Sequence, residues 1–284
     1  MIREGDCVKR ISYGGDIVFV IKAIHGDMAI LEGVEYRLIA DAPLSDLELV
    51  ESYKEDTSAY RMQLETTMRW IEQVRQEQVR QHSRGDLRIA GQEGYFEVPG
   101  KVLHLDGDVK YLQKSMQVYR RLRIPVNGFH MEERLMADAL YKLLPRLKPD
   151  IVVITGHDAI LKDRIHQKYS LDSYKNSLHF IRAVRVARQY ERNRDSLSIV
   201  AGACQSHFEA LLQAGANFAS SPGRVMIHAL DPVQIASRIS YTSIRDTVDM
   251  EDVIKHTVSG LKGIGGIESK GSYRVGLPLL LPDS

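Results

Sequence analysis

Cysteine is scarce in this sequence. Cys7 and Cys204 are the two cysteines among 284 residues, and they lie far apart in the chain. Two distant thiols cannot build a disulfide framework, and they lack the paired spacing of a thiolate metal site. The scarcity is typical of a protein from a reducing compartment, and we expect no metal site.

Long apolar runs and an excess of one charge are also missing. No segment approaches the roughly 18 consecutive apolar residues of a membrane span. The opening stretch MIREGDCVKRISY lacks the apolar part of a signal peptide. The formal net charge is +1, which gives no support for a nucleic-acid partner. We expect a cytoplasmic protein that neither spans a membrane nor binds nucleic acid.

The sequence also lacks nucleotide-binding motifs. The glycine-rich stretch at residues 259–284 lacks the Lys-Ser/Thr ending of a P-loop. No strand followed by Gly-x-Gly-x-x-Gly opens a helix anywhere in the sequence. We therefore expect no cofactor, and we interpret the stretch as a packed tail that covers one edge of a sheet.

The N-terminal part of the sequence changes pattern twice. Residues 1–50 contain short β-branched runs separated by turn signals, which predict a small SH3-like β-barrel. Residues 51–97 begin with apolar residues at helical spacing and end in a polar stretch rich in arginine and glycine. This second region predicts an amphipathic linker helix followed by a flexible linker.

Residues 98–284 alternate between apolar runs and amphipathic stretches. The runs KVLHLD, DIVVITG and LSIVAGA predict strands, and helical periodicity follows each of them. Alternating strands and helices predict a mostly parallel sheet with flanking helices. Continuous apolar strands fit a sheet that is covered on both faces. The expected fold class is therefore α/β, preceded by the small barrel and the linker helix.

Two of the predicted strands end in chemically capable side chains. The strand at 151–155 is followed by Gly156, His157 and Asp158, and LSIVAGA leads to Cys204. Ligands of open α/β sheets bind beyond the carboxyl ends of the strands. A cysteine at the start of the next predicted helix would also be favoured as a thiolate. The pattern predicts a Cys204–His157 pair that attacks a carbonyl group, with the backbone amides of Cys204, Gly156 and Asp158 as candidate oxyanion donors.

Two alternatives stay open from the residues alone. His228, in IHALDP, would let Cys204 serve a Cys-dependent amidohydrolase, because the histidine of such enzymes lies downstream of the thiol. A non-catalytic adaptor protein, whose barrel and basic linker recruit partners, would also carry these features. His157 precedes Cys204 by 47 residues, which is close to the roughly 50 residues between the histidine and cysteine of caspases.

Several motifs resemble the YabG family of sporulation-specific proteases. They span nearly the whole chain and are KVLHLDGD, DIVVITGHDA, AGACQSHFEALLQAGANFASSP, IHALDPV and EYRLIADAPLSDL. The resemblance implies a cysteine endopeptidase with a caspase-like sheet, in which Cys204 and His157 are catalytic. Its protein substrates would be precursors of spore coat and cortex-associated proteins. It would act in the mother cell of a sporulating bacterium, at the forming coat, and in this setting the non-catalytic alternative is a spore-coat adaptor protein. The sequence defines no oligomeric state.

The same resemblance implies cleavage after arginine. A guanidinium in a specificity pocket needs a carboxylate that meets it in a forked contact. Asp106, Asp158 and Asp231 are the candidates, and the analogy with caspase-like peptidases favours Asp106, which ends the first strand of the α/β region. Asp158 would otherwise orient the imidazole of His157, and Asp231 would otherwise cap the helix that follows it.

Self-cleavage is also implied by the resemblance. The predicted linker offers Arg80, Arg84 and Arg88 in QVRQHSRGDLR. Exposed, flexible segments between domains are where chains are nicked. We therefore expect a fragment that begins between Gln81 and Ile89.

Overall fold

Two large sheets organise the part of the chain that the structure describes. The computed structural model describes residues 2–50, 59–84 and 96–276. An antiparallel sheet fills the first of these ranges, and a largely parallel sheet lies in the last. Among the described residues, no helix combines the length and the apolar character needed to cross a membrane.

The N-terminal sheet has five antiparallel strands in the order β4-β3-β2-β1-β5. In chain order these strands are β1 (Cys7–Arg10), β2 (Val18–His25), β3 (Met28–Gly33), β4 (Ile39–Pro43) and β5 (Leu47–Leu49). Val8, Phe19 and Leu31 form part of a separate small core inside this sheet. The predicted β-rich start is therefore present, while closure into an SH3-like barrel stays a prediction.

A long helix follows, α1 (Ala59–Arg84). Its apolar side chains Ile71 and Val74 are buried in the same core as the main sheet, as their helical spacing predicts. The helix therefore packs along the α/β region instead of bridging solvent between two domains. Arg80 and Arg84 lie within it, so the prediction that they belong to a flexible linker is wrong. Arg88 lies outside the described residues.

The main sheet has six strands in the order β12-β11-β10-β9-β7-β8. Its strands are β7 (Val102–Asp106), β8 (Val126–His130), β9 (Ile151–Thr155), β10 (Ser198–Ala201), β11 (Phe218–Ser220) and β12 (Ile264–Gly266). All neighbouring pairs are parallel except β11 and β12. Two further strands, β6 (Phe96–Val98) and β13 (Arg274–Gly276), pair antiparallel with each other.

Helices cover both faces of the main sheet. They are α2 (Val109–Arg121), α3 (Met136–Leu147), α4 (Ser177–Tyr190), α5 (Phe208–Ala214), α6 (Asp231–Tyr241), α7 (Met250–His256) and α8 (Gly260–Gly263). The strand β9 shows why its continuous apolar run is needed. Ile151 and Val153 lie in one hydrophobic core and Val152 and Ile154 in the other, because successive side chains point to opposite faces.

The glycine-rich C-terminal stretch contributes to the sheet edge. Within it, β12 pairs antiparallel with β11 at the outer edge of the main sheet. The packed tail predicted from the sequence therefore adds an edge strand, which protects the parallel strands from edge-to-edge association. Residues 277–284 lie outside the described part of the chain.

Candidate active site

Three predicted site residues follow neighbouring strands at the carboxyl edge of the main sheet. In the parallel pairing of β9 with β10, Ile154 lies opposite Ala201. His157 and Cys204 each come three residues after those paired positions. Asp106 ends β7, which pairs with β9 on its other side. Since neighbouring strands lie about 4.8 Å apart, the topology brings these side chains to one edge, as the sequence predicts.

Cys204 lies in a tight turn between β10 and α5. Gly202 has a φ of 108°, a conformation that favours glycine. The Ala203 N–H donates to the Ser206 hydroxyl at 2.9 Å and closes the turn. The helix begins at Phe208, so the prediction that Cys204 starts a helix is wrong. The residues between strand and helix form this turn, so the thiol does not lie at a helix N-terminus.

The thiol of Cys204 is buried, with 2% of the residue exposed. The Ile227 N–H donates to Sγ at 3.3 Å, and Sγ lies 3.6 Å from the Ile227 carbonyl oxygen. Burial raises the pKa of Cys204 to about 11, against the opposing effects of the Ile227 N–H and of the Arg37 charge. An activated thiol with a lowered pKa is what the sequence predicts, and in this state the shift has the opposite direction.

Alkylation of Cys204 in the intact protein should be slow at neutral pH. The thiolate is the reactive form, and a raised pKa leaves little thiolate until the pH approaches about 11. We expect the iodoacetamide labelling rate at Cys204 to keep rising with pH towards that midpoint, as measured by peptide mass spectrometry. Cys7 of the same protein serves as the internal control. A midpoint at or below the roughly 8.5 of a free thiol would contradict this description of the site.

His157 is mostly buried between two carboxylates. The main-chain N–H of His157 donates to Oε1 of Glu133 at 2.8 Å. Its imidazole Nε2 lies 3.5 Å from Oδ2 of Asp108, and Nδ1 lies 3.9 Å from Oε1 of Glu133. Burial and the nearby Arg37 charge lower the pKa of His157, while the two carboxylates oppose that shift. The acids would therefore stabilise an imidazolium that forms during a reaction.

Sequence reasoning missed both of these acids. Asp108 lies two residues beyond the end of β7 and caps α2, because its side chain accepts the N–H groups of the first turn. Glu133 follows β8 at the same edge of the sheet. Gly107 and Gly156 make room for it, since a Cβ at either position would collide with the Glu133 carboxylate. The signal available in the sequence was the position of each acid just after a strand.

Asp158 holds the surrounding loops together. One carboxylate oxygen accepts the N–H groups of Ala159 at 3.0 Å and Asn176 at 2.8 Å. The other accepts the hydroxyl groups of Ser177 at 2.5 Å and Ser206 at 2.9 Å. These bonds join the end of β9, the start of α4 and the turn after Cys204. The carboxylate is thus engaged away from the neighbouring imidazole, and Asp108 and Glu133 flank that ring instead.

Asp231 is also fully buried, and its carboxylate hydrogen-bonds the backbone of a loop. Its carboxylate accepts the N–H groups of Val258 at 2.9 Å and Ser259 at 3.3 Å. Burial raises the pKa of Asp231 to about 6, although these hydrogen bonds oppose the shift. The carboxylate joins the start of α6 to the segment before α8. With both oxygens engaged in this way, Asp231 is poorly placed to receive a guanidinium.

His228 lies one residue from the backbone group that contacts Cys204. Its Nδ1 accepts the Leu230 N–H at 3.3 Å. Burial is the main reason why the pKa of His228 falls to about 4, and the charges of Lys114 and Arg37 add to the effect. The ring is therefore neutral near pH 7. This makes it a weaker partner for a thiolate than an imidazole flanked by carboxylates.

Asp106 already binds a guanidinium in this structure. The side chains of Asp106 and Arg37 are fully buried and form a two-pronged pair, with Nη1–Oδ1 at 2.5 Å and Nη2–Oδ2 at 2.8 Å. Burial alone would raise the pKa of Asp106, but the Arg37 charge and the neighbouring His104 outweigh it and hold the pKa well below its usual range. The ring of Tyr111 lies beneath the guanidinium, 4.7 Å from its central carbon.

A cleft of about 260 Å³ opens beside His157. It provides room next to the imidazole for part of a bound chain. Nine residues line it: Ile39, Gly107, Glu132, Glu133, Arg134, His157, Lys175, Asn176 and His179.

Fold and site together define an α/β protein with a thiol, an imidazole and a guanidinium pocket at the carboxyl edge of a largely parallel sheet. The family model described as YabG peptidase U57 matches residues 3–278. The chain is also 44% identical over 288 residues to the sporulation-specific protease YabG of Bacillus subtilis (strain 168), covering 96% of this chain and 97% of that protein. The chain therefore belongs to the YabG peptidase family. No solved structure matches it.

Proposed function

We propose that this chain is a cysteine endopeptidase that cleaves after arginine, with Cys204 as the nucleophile and His157 as the general base and acid. The observation that carries the proposal is the buried, two-pronged pair of Asp106 with a guanidinium, at the strand edge that also bears the thiol and the imidazole. Family membership supports the peptidase activity. The pocket supports the preference for arginine, because a planar fork matches a carboxylate.

The reaction follows from these positions. A substrate arginine would place its guanidinium on Asp106 and its carbonyl carbon near Sγ of Cys204. His157 would accept the thiol proton as the C–S bond forms, and the oxyanion would be held by backbone amides, for which Cys204, Gly156 and Asp158 are our candidates. Collapse of the tetrahedral intermediate breaks the C–N bond, and the imidazolium donates its proton to the leaving amine. Water then hydrolyses the thioester with His157 again acting as base.

The charges around the imidazole suit this cycle. The imidazolium that forms after the first proton transfer would lie between the carboxylates of Asp108 and Glu133, at 3.5 Å and 3.9 Å. Opposite charges within this range stabilise the protonated form. The Cys204 thiol is hydrogen-bonded to the Ile227 backbone in this structure, and we propose that its side chain turns towards the imidazole before the reaction.

The wider assignments rest on the family and on the topology. We propose that the substrates are precursors of spore coat and cortex-associated proteins and that the enzyme acts in the mother cell at the forming coat. The relative from Bacillus subtilis is described as sporulation-specific. We propose a caspase-like arrangement for the peptidase domain, residues 98–284, because thiol and imidazole follow adjacent parallel strands. Residues 1–50 and 51–97 would be the barrel domain and the linker region.

Self-cleavage tests the proposed activity directly. On prolonged incubation, we expect the purified protein to cut itself after arginine, and Cys204→Ala should remain whole. Because Arg80 and Arg84 lie in α1 and peptidases bind extended chains, the cut after Arg88 should dominate and give a fragment that begins at Ile89. Intact-mass spectrometry identifies the fragment. Equal nicking in the wild type and in Cys204→Ala would assign the cut to a contaminant, and a wild type that stays whole would count against self-processing.

A further inference from the structure

The guanidinium in the Asp106 pocket comes from the N-terminal sheet of the same chain. Arg37 lies in the connection between β3 and β4, residues 34–38, which we name the pocket loop. The loop leaves its own sheet and reaches the carboxyl edge of the main sheet. There the Ala229 N–H donates to the Glu35 carbonyl at 3.1 Å, and Tyr36 forms an antiparallel bridge with His228. The loop thus binds beside Cys204 as an added strand would.

The pocket holds Arg37 through its charge and its shape. Besides the two bonds to Asp106, Nη2 donates to the Ala229 carbonyl at 3.4 Å. Tyr111 clamps the loop at two points, since its hydroxyl lies 2.6 Å from the Gly33 carbonyl and 2.7 Å from the Tyr36 carbonyl. These contacts occupy the Asp106 carboxylate, the Tyr111 ring face and the strand edge that an arginine substrate would use.

The loop also reaches the reacting groups. The main-chain N–H of Arg37 lies near the Cys204 sulfur and acts to lower the pKa of the thiol. The guanidinium lies close enough for its charge to act on both groups: it opposes the rise in the pKa of Cys204 that burial causes, and it adds to the fall in the pKa of His157. A substrate arginine and Arg37 therefore cannot occupy this site together.

The loop has the shape of an inhibitor rather than of a cleavable chain. The Leu38 N–H donates to the Tyr36 carbonyl at 2.7 Å, and the Gly33 N–H donates to the Leu38 carbonyl at 2.7 Å. The first bond closes a three-residue turn centred on Arg37. The bond after Arg37 is therefore held in a closed turn, whereas a chain to be cut binds extended.

Charged contacts dock the N-terminal sheet onto α2 behind the loop. Glu32, at the end of β3, accepts hydrogen bonds from Lys110 and from Lys22, both at 2.7 Å. Lys110 belongs to the first turn of α2. The position of the pocket loop is thus set by the docking of the whole sheet.

We propose that the pocket loop is an intramolecular inhibitor, which keeps the enzyme inactive until the N-terminal sheet moves and Arg37 leaves Asp106. The proposal rests on the proposed function and names the regulation of the same site. It accounts for a nucleophile that is buried and bonded to backbone in the resting protein. It also assigns a function to the N-terminal sheet, which is to position the inhibitory loop.

The test compares full-length variants that release the loop. Arg37→Ala removes the blocking side chain, and Arg37→Lys keeps the charge but loses the fork. We expect Arg37→Ala to raise kcat/KM for a short arginyl peptide by roughly 10- to 100-fold, since apparent affinity scales with the fraction of molecules in the open state. Arg37→Lys should give a smaller rise. Arg10→Ala, which breaks the Arg10–Asp46 pair at 3.0 Å inside the N-terminal sheet, is the matched control and should behave as wild type.

A second variant covers the case in which Arg37→Ala does not fold, because it leaves Asp106 without its partner. Tyr111→Phe keeps both charges and the ring but removes the hydroxyl that clamps the loop. It should raise kcat/KM in the same direction. Melting temperatures report whether each variant is folded.

A second readout separates this proposal from the proposed function. Iodoacetamide needs no arginine pocket, and we expect it to label Cys204 at least tenfold faster in Arg37→Ala than in the wild type. Equal labelling and equal cleavage in both proteins would overturn the inhibitor while the peptidase stands. Faster labelling without cleavage of any arginyl peptide would support the covering loop and remove the proposed function. A cut after Arg37 in the wild type that Cys204→Ala lacks would make the loop a substrate and overturn its role as inhibitor.

Discussion

Replacing Cys204 by alanine should reduce arginyl-peptide cleavage by about a million-fold, because loss of an essential nucleophile removes the covalent route entirely. His157→Ala should cause a loss of similar size. The double variant should be no worse than either single variant, since groups that act as a unit fail together. The rates are best measured in the Arg37→Ala background, in which the pocket is free of the loop. A Cys204→Ala protein that keeps more than about a thousandth of the rate would disprove the assignment.

Two controls complete that experiment. Cys7→Ala removes the other thiol, which lies in β1 of the N-terminal sheet, and should leave the rate unchanged. His228→Ala separates the peptidase from the amidohydrolase alternative. If His228→Ala abolished activity while His157→Ala retained it, the general base would be misassigned. Background cleavage that is equal in the wild type and in all variants would leave the non-catalytic adaptor as the better explanation.

Asp106→Asn should remove the preference for arginine over its neutral isostere citrulline. In the wild type we expect kcat/KM to favour arginyl over citrullyl peptides by a factor of 10 to 1000, which corresponds to about 1.4–4 kcal/mol. The carboxylate is what distinguishes the two side chains, because both have a similar planar shape and one carries charge. In Asp106→Asn the ratio should fall close to one. The measurement is the ratio of the two kcat/KM values for each protein.

That ratio is robust to a loss of stability. Asp106→Asn leaves Arg37 without its charged partner in the resting state, and breaking a buried pair costs about 3–5 kcal/mol. Both peptides meet the same folded fraction of enzyme, so the ratio is unaffected. Asp231→Asn is the matched control, since it changes another fully buried acid that serves a loop. If Asp106→Asn kept the wild-type ratio, the pocket carboxylate would have to be sought elsewhere.

The fold could be predicted wherever short-range pattern controls structure. The apolar run at 151–155 is a buried strand because its side chains alternate between two cores. The stripe that includes Ile71 and Val74 is the buried face of α1. The start of α5 could not be predicted, because it depends on one hydrogen bond from Ala203 to Ser206 that closes a turn before the helix.

The sequence allowed prediction of the candidate site residues that lie at strand ends, but not of the residues that contact them. Cys204, His157 and Asp106 all follow or end strands, and the parallel topology brings those ends together. Glu133 reaches His157 through space that Gly107 and Gly156 leave open. This contact depends on tertiary packing, which no periodic pattern in the sequence reveals. The direction of the Cys204 pKa shift depends on burial by contacts between distant parts of the chain.

Arg37 is the residue whose role lay furthest from sequence reasoning. It lies 69 positions before its partner Asp106, in a region whose pattern predicts a separate small domain. A salt bridge between two sheets leaves no periodic signal in either of them. The motif EYRLIADAPLSDL contains this arginine, but its letters do not show that the side chain points out of its own sheet.

The N-terminal sheet and the pocket belong to one polypeptide, and this covalent link changes what affinity the pocket loop requires. A tethered ligand binds at an effective concentration that reaches the millimolar range for short flexible connections. The loop would therefore fill the pocket in all but roughly 1–10% of molecules even if its intrinsic dissociation constant were as weak as about 10–100 μM. A free peptide with the same sequence, added at micromolar concentration, would bind poorly. At typical association rates, such weak intrinsic affinity lets a tethered segment block its site and still leave within about 10–100 milliseconds once the tether is displaced or cut.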